Sequence, residues 1–554
     1  MMPDLLPTRT GERREQPALS RTRHHFWAAA TVLLFSVLAV SIQVCSGSYQ
    51  AEFSFYPDEP AHVVTGVAFE QYLLHGLPHS PVVFLLDYYK HYPKVAIGHW
   101  PPLLYVAEAA VMLVSGASRY SLLGLEALFA GALGWLVFRE LKPLVGTIPS
   151  ALGSTALLLN RQMRQHASMA MAELLLTLTM FLAAMAFARL AEQRRTRDGI
   201  WAGLWVSAAI LTKGTGWAAL IVPVVVVLAD RDWKLLLARA LRPAALIIAV
   251  VCLPWQIFTL KLASEGWQYR AGLSYTLLAI PKYTKILISL PGFSISACAF
   301  AGLTCALWGA GKGARSRAYW AALAGLVCAA WLFHVLVPAG IEERKLIIAL
   351  PAVVILAGGG ASQCARWISP SRQREASGII FACAALLGIA LSLPVQAKPQ
   401  LGFIQVAAAL DGILPAQSAA LVVSDASGEG ALISEMALRH PWPAVYLVRG
   451  TKLLASEDWN GGNYRPRVTS ADDCERLLAS IPVQVLVMDR RFSASRQPFF
   501  GIVEAMLRKY GNEWRLVQEF PSPGDSSHAI AIYRGVPGNG VAPVIPRWVL
   551  PRVP

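Results

Sequence analysis

The residues of this 554-residue chain best suited to chemistry begin with two adjacent carboxylates, in Phe55-Tyr56-Pro57-Asp58-Glu59-Pro60-Ala61-His62, just past a long apolar segment. Such a pair can bind a divalent cation, or one member can remove a proton from an attacking hydroxyl. A purely local role is also open: Asp58 capping a helix that starts at Pro60, with Glu59 in its favoured first turn. A second polar stretch runs from His91-Tyr92-Pro93-Lys94 to His99-Trp100-Pro101-Pro102-Leu103, and five of the 11 histidines (62, 75, 79, 91 and 99) lie in this one region. Imidazole is a common metal ligand and proton shuttle, although His, Tyr and Trp also decorate membrane–water interfaces.

Three more clusters follow. Glu173 stands at the mouth of an apolar run, where an acid is either solvated or expensive to bury. Lys213, in Leu211-Thr212-Lys213-Gly214, can hold a phosphate or extend its ammonium to the interface. In Glu342-Glu343-Arg344-Lys345, the Arg344 guanidinium can fork onto a phosphate or pair with a neighbouring acid. No GxxxxGK[ST] segment is present, which argues against ATP hydrolysis.

These clusters need a scaffold, and composition defines it. Hydrophobic residues make up 55% of the chain and charged residues 15%, against about 25% charged in soluble domains. Mean hydropathy is +0.47. A wholly soluble, collagenous or disordered chain is excluded. A spanning helix needs about 20 mostly apolar residues. Runs at 26–44, 118–138, 145–160, 171–190, 199–213, 216–229, 241–259, 286–308, 318–337, 341–360 and 377–394 give eleven candidate spans. Arg9, Arg13, Arg14, Arg21 and Arg23 precede the first run, which lacks a small-residue cleavage site and reads as a signal anchor. The positive-inside rule places residues 1–25 in the cytoplasm. Basic loops then recur on that side, around Arg139/Lys142, Arg194/Arg195/Arg197, Arg231/Lys234/Arg239/Arg242, Lys312/Arg315/Arg317 and Arg366/Arg372/Arg374. The parity requires residues 45–117 to be one large external loop, with Pro101–Gly116 as an interfacial helix. All five polar clusters then fall on the external face.

Beyond residue 395 the apolar runs shorten. LVVSD, AVYLV, VQVLVMD, WRLVQEF and HAIAIYR alternate with helical patterns near 428–440, 470–480 and 497–511, predicting an external, mainly parallel α/β domain over 396–537. Residues 538–554, rich in Gly, Pro and Val, read as a loose tail. The eight cysteines form no CxxC; most behave as small hydrophobes, and only Cys45 and Cys474 could meet outside the membrane. The net charge of +15 lies mainly in inter-span loops, with no basic aromatic-interleaved helix for nucleic acid.

The order of these motifs resembles the GT-C membrane glycosyltransferases, in the branch of the protein O-mannosyltransferases and lipid A aminoarabinose transferases. Tyr56-x-Asp58-Glu59 resembles that family's first-loop acidic motif. His99-Trp100-Pro101-Pro102-Leu103 resembles its HPPL element with Trp100 inserted, and Leu211-Thr212-Lys213-Gly214 matches LTKG. Glu173 falls where members carry a second acid, and Arg344 followed by Leu350-Pro351-Ala352 resembles R-x-L-x-P-A. The resemblance covers about residues 25–395. It implies an α-helical polytopic membrane protein of the inner membrane that transfers a sugar, with inversion, from a polyprenyl-phosphate donor to a lipid, glycan or protein acceptor. Asp58 would be the general base, with Glu59 and Glu173 completing the acidic set. Lys94, Lys213, Arg344 and Glu343 would bind substrate. His99 and Glu173 would be the ligands if a divalent metal ion takes part; no nucleotide cofactor is implied. The rival classes are a transporter or flippase of a lipid-linked saccharide and a non-catalytic scaffold.

Overall fold

A computed structural model describes residues 18–262, 267–308, 315–456, 463–492, 497–523, 525–535 and 543–551. Most of the expected cytoplasmic tail, residues 1–17, lies outside the described residues, as does Lys312. The bundle contains α1 (Ala18–Cys45), α2 (Glu59–Gln71), α3 (Pro81–His91), α4 (Leu103–Ser115), α5 (Arg119–Val145), α6 (Thr147–Leu159), α7 (Arg161–Ala167) and α8 (Glu173–Gln193). It continues through α9 (Thr196–Thr212), α10 (Ile221–Asp230), α11 (Arg242–Thr259), α12 (Leu273–Ser289), α13 (Phe293–Trp308), α14 (Arg317–Leu336), α15 (Leu350–Ile368) and α16 (Gln373–Ser392).

Each of the eleven apolar runs falls on helical structure. Among the described residues, seven helices are long and apolar enough to cross a membrane, eight if α12 and α13 count as one span. That pair corrects the run 286–308, expected as one straight helix: the chain bends by 105° between them. The cause is Leu290-Pro291-Gly292. Proline cannot continue the hydrogen-bond ladder, and Gly292 takes φ +85°, a conformation that suits glycine. Helices α5, α8, α14 and α15 form the buried centre of the bundle, whereas α1, α11 and α16 lie on its perimeter.

The region 45–117 folds into α2, α3 and α4, with α2 packed on α4. Residues after α16 form α17 (Phe403–Ile413), β1 (Ala419–Val423), α18 (Ala426–Arg439), β2 (Tyr446–Arg449), α19 (Gly450–Leu453), β3 (Ala455–Ser456), β4 (Arg465–Pro466), α20 (Ala471–Ser480), β5 (Val483–Asp489), α21 (Phe499–Lys509), β6 (Trp514–Ser522) and β7 (Asp525–Gly535). The five-stranded sheet has the order β2-β1-β5-β7-β6. Its first three strands are parallel and the β6–β7 hairpin pairs antiparallel, in agreement with a mainly parallel α/β reading.

Two expectations about this part are corrected. The tail is not loose throughout: Arg547–Val549 form a turn, and Val549 is buried in the sheet domain's core. Cys45 and Cys474 are both free, Cys45 exposed at the end of α1 and Cys474 buried on α20.

The sheet domain is docked onto the first loop. Helix α18 packs on α2, and the two share one hydrophobic cluster. Glu52 accepts three backbone N–H bonds from Leu401, Gly402 and Ile404 at 2.8–3.2 Å, capping the start of α17. Tyr88 donates to the Pro441 carbonyl at 2.8 Å, and Arg119 pairs with Glu435. His91 bonds the Val445 carbonyl at 3.0 Å and stacks on Tyr446, while His75 lies edge-on to Trp442. Two of the five histidines of that stretch, His75 and His91, therefore lie against the second domain.

Candidate active site

Four separated segments converge at the end of the bundle that carries the sheet domain. Asp58 comes from the turn before α2, Glu173 from the first residue of α8, Lys213 from the end of α9, and Arg344 from the turn before α15. Each position follows from local sequence. Pro57 and Pro60 flank Asp58 and set the turn. Lys213 ends α9 in an extended conformation, and the next turn folds back onto that helix. A Cβ on Gly216 would lie 2.2 Å from the Ala209 backbone, so only glycine permits this approach. Residues 343–349 form a 3-10 turn, and Pro351 then starts α15 with a φ that suits a first helical turn.

Lys213 donates to Glu173 Oε1 at 2.7 Å. Arg344 Nη1 lies 3.8 Å from the same oxygen, Arg344 Nη2 lies 3.5 Å from Asp58 Oδ2, and Arg344 Nε donates to Glu342 Oε2 at 2.6 Å. Lys345 Nζ is 3.4 Å from the other oxygen of Glu342. Three acids thus face three bases. Glu173 is only 3% exposed, which rules out the solvated-acid reading. The set is incompletely satisfied: Arg344 Nη1 and Glu173 Oε2 are buried without a hydrogen-bond partner. Unpaired buried polar atoms are costly, so these two call for a partner. Tyr56 forms the floor, its ring 4.4 Å from the Arg344 guanidinium.

Asp58 makes no side-chain cap bond to α2. Its carboxylate faces Arg344 instead, so capping does not account for it. Its neighbour Glu59 does not face the cluster. Glu59 is fully buried, with Oε1 accepting from Lys398 at 2.7 Å and Oε2 from the Phe55 N–H at 2.8 Å. Both oxygens are occupied, so placing Glu59 in the acidic set with Asp58 is corrected to an anchor of the segment after α16. Removing one partner of a buried pair leaves an uncompensated charge. Lys398→Met should therefore destabilise the fold by about 3 kcal/mol. The Lys398→Met/Glu59→Gln double variant should recover most of that loss in detergent thermal unfolding. A double variant as unstable as the single would show that the pair is not what matters.

Two other expectations shift, and a histidine joins the site. Glu343 is exposed and accepts from Gln162 at 3.1 Å, while its neighbour Glu342 holds Arg344. The Lys94 ammonium is buried beside Asp58's turn, but it bonds the Pro57 carbonyl at 3.4 Å and the Ala426 carbonyl of α18 at 3.1 Å. Burial, reinforced by Arg449, pushes Lys94 down to about 7. A histidine beside Asp58 is His62. The His62 N–H donates to the Asp58 carbonyl, its Nδ1 lies 3.0 Å from the Tyr105 hydroxyl, and its ring lies 4.6 Å from that of Trp100. Burial pushes His62 down to about 4 despite the opposing pull of Asp58 and Glu173, so the ring is neutral at pH 7. The inserted Trp100 thus covers His62.

The residues present do not fit a divalent ion. Among the described residues no three of His, Cys, Asp and Glu are placed together so that they could hold a metal ion. The acids that such an ion would need are already matched by Lys213 and Arg344. Two buried acids escaped sequence reasoning: Glu108 on α4 lies against Gly66, and Glu126 on α5 accepts from the Met171 N–H at 3.3 Å, bracing the turn before Glu173.

Residues 99–258 match the family model for dolichyl-phosphate-mannose-protein mannosyltransferase. The crystal structure of ArnT from Cupriavidus metallidurans in the apo state superposes with a TM-score of 0.58 at 15% identity, over 91% of this chain and 98% of that one. The fold is GT-C-like, as in that structure. ArnT bound to undecaprenyl phosphate gives a TM-score of 0.55 at 15% identity, over 91% of this chain and 97% of that one. The archaeal oligosaccharyltransferase AglB from Archaeoglobus fulgidus, in complex with an inhibitory peptide and a dolichol-phosphate, gives 0.51 at 12% identity, over 93% and 75%. No curated protein matches the chain in sequence. The chain is integral to the membrane, and its acid–base cluster and sheet domain share one end of the bundle.

Proposed function

We propose that the protein transfers a sugar from a polyprenyl-phosphate donor to a hydroxyl-bearing lipid, glycan or protein acceptor at the external face of the inner membrane, with inversion. The observation that carries this reading is the meeting of Asp58, Glu173, Lys213 and Arg344 at one mouth of the bundle, with Arg344 Nη1 lacking a hydrogen-bond partner among them. The two neighbours solved with a polyprenyl phosphate support the donor class.

In this reading the donor phosphate enters between Lys213 and Arg344 and draws Arg344 from its 3.5 Å contact with Asp58. The freed Asp58 carboxylate accepts the acceptor's hydroxyl proton as that oxygen bonds to the anomeric carbon. The bond from that carbon to the phosphate oxygen breaks on the opposite side, and the polyprenyl phosphate leaves with the electron pair. Its growing charge is stabilised by the two cations, already oriented by Glu173 and Glu342 in a water-poor site. Lys94 and Glu59 hold the Asp58 turn between the sheet domain and the segment after α16.

Purified protein in detergent, given a polyprenyl-phospho-sugar and a mixed acceptor extract, should release free polyprenyl phosphate over time. A donor that stays intact but crosses vesicle bilayers with the protein would favour the flippase reading instead.

A further inference from the structure

A cleft outside this site holds two cations with no acid to match them. It lies between the end of α1, helix α7 and residues 395–398, and Arg161, Arg164, Gln165 and Gln396 supply its polar wall. Arg164 is 9% exposed and, among the described residues, its side chain donates only to the Ser392 carbonyl at the end of α16. Arg161 is exposed, and neither arginine has a carboxylate partner among the described residues. Lys398 also lines the cleft, but Glu59 already neutralises it. Buried charges are normally paired, so a guanidinium this enclosed, with a second one beside it, lacks a counter-charge.

The cleft's other wall is apolar: Ile42, Phe55 and Val395. It opens on the bundle's perimeter, where Val44 of α1 and Leu391 and Leu393 at the end of α16 are exposed as lipid-facing residues are. An anion bound here would meet acyl chains beside it. That combination fits a phospholipid better than a free ion. We propose that this cleft binds the phosphate headgroup of an anionic membrane phospholipid, held by Arg161 and Arg164. The site is separate from the four-residue cluster, but Gln165 lies 3.5 Å from the Tyr56 hydroxyl, so an occupant would steady the floor beneath Arg344.

The test reads binding, not transfer, and so stands whether or not the transferase reading holds. Full-length protein is exchanged into micelles with equimolar phosphatidylglycerol and phosphatidylcholine, and retained lipid is counted by native mass spectrometry. Each arginine near an anionic lipid surface contributes about fivefold in affinity. Wild type should prefer phosphatidylglycerol by about 25-fold on that basis, Arg161→Gln by about fivefold, and Arg161→Gln/Arg164→Gln by nothing. Because Arg164 also bonds Ser392, Arg161→Glu serves where the double variant folds poorly, and it should abolish the preference alone. An unchanged preference in Arg161→Glu overturns the proposal. So does inorganic phosphate that displaces the phospholipid at equal concentration, since the cleft would then take a free anion.

Discussion

Asp58→Asn is expected to lower sugar transfer by roughly 10²- to 10⁴-fold, the usual worth of a positioned general base, while yield and thermal stability stay near wild type. Asparagine ranks with aspartate as a helix cap, so a capping Asp58 would tolerate the change. The structure removes that role, since the Asp58 side chain caps nothing and faces Arg344. The substitution also costs little in structure. Arg344 keeps its 2.6 Å bond to Glu342 and its proximity to Glu173, and the lost contact is a loose one at 3.5 Å. What disappears is an oxygen able to take a proton from the acceptor. The measurement is initial-rate release of polyprenyl phosphate under saturating donor. Near-normal turnover in a well-folded Asp58→Asn protein would take Asp58 out of the mechanism and leave Glu173, with its unpaired Oε2, as the next candidate base.

Local patterns carried much of this architecture. The alternation of VQVLVMD with amphipathic stretches placed β5 at Val483–Asp489, because a buried parallel strand must be a short continuous apolar run. Asp58, Lys213 and Arg344 were legible because a charged residue at the end of an apolar run needs a reason. The Pro291-Gly292 break was also present in the sequence, yet hydropathy alone ran across it. The missed partners divide by physical cause. His62 stands four residues after Asp58, one helical turn away, so helical spacing from Pro60 would have found it. Choosing Glu342 over Glu343 depends on where a 3-10 turn begins, which composition does not determine. The Glu59–Lys398 pair joins residues 339 positions apart, and only the docking of the segment after α16 brings them together.

Removing the positive charge of Arg344 should act on the leaving group. Loss of one preorganised donor at a developing oxyanion costs about 10²- to 10³-fold in turnover. Arg344→Met should fall in that range, provided its loss does not unfold the turn before α15. Lys213 poses a harder case, because it also neutralises Glu173, which is buried and within 2.7 Å. Lys213→Met alone would strand that carboxylate and lower stability as well as activity. The double variant Lys213→Met/Glu173→Gln separates the two effects. If Lys213 only balances Glu173, the pair removed together should restore stability and keep apparent donor affinity near wild type. If it binds the donor phosphate, stability should return while apparent donor affinity stays at least tenfold weaker, since a charged hydrogen bond to phosphate is worth about 1.5–3 kcal/mol. Titrating polyprenyl phosphate as a competitive inhibitor against wild type and both variants, beside their unfolding midpoints, distinguishes these outcomes. Wild-type inhibition in a stable double variant would leave Arg344 as the cation facing the phosphate, with Lys213 serving as the counter-charge of Glu173.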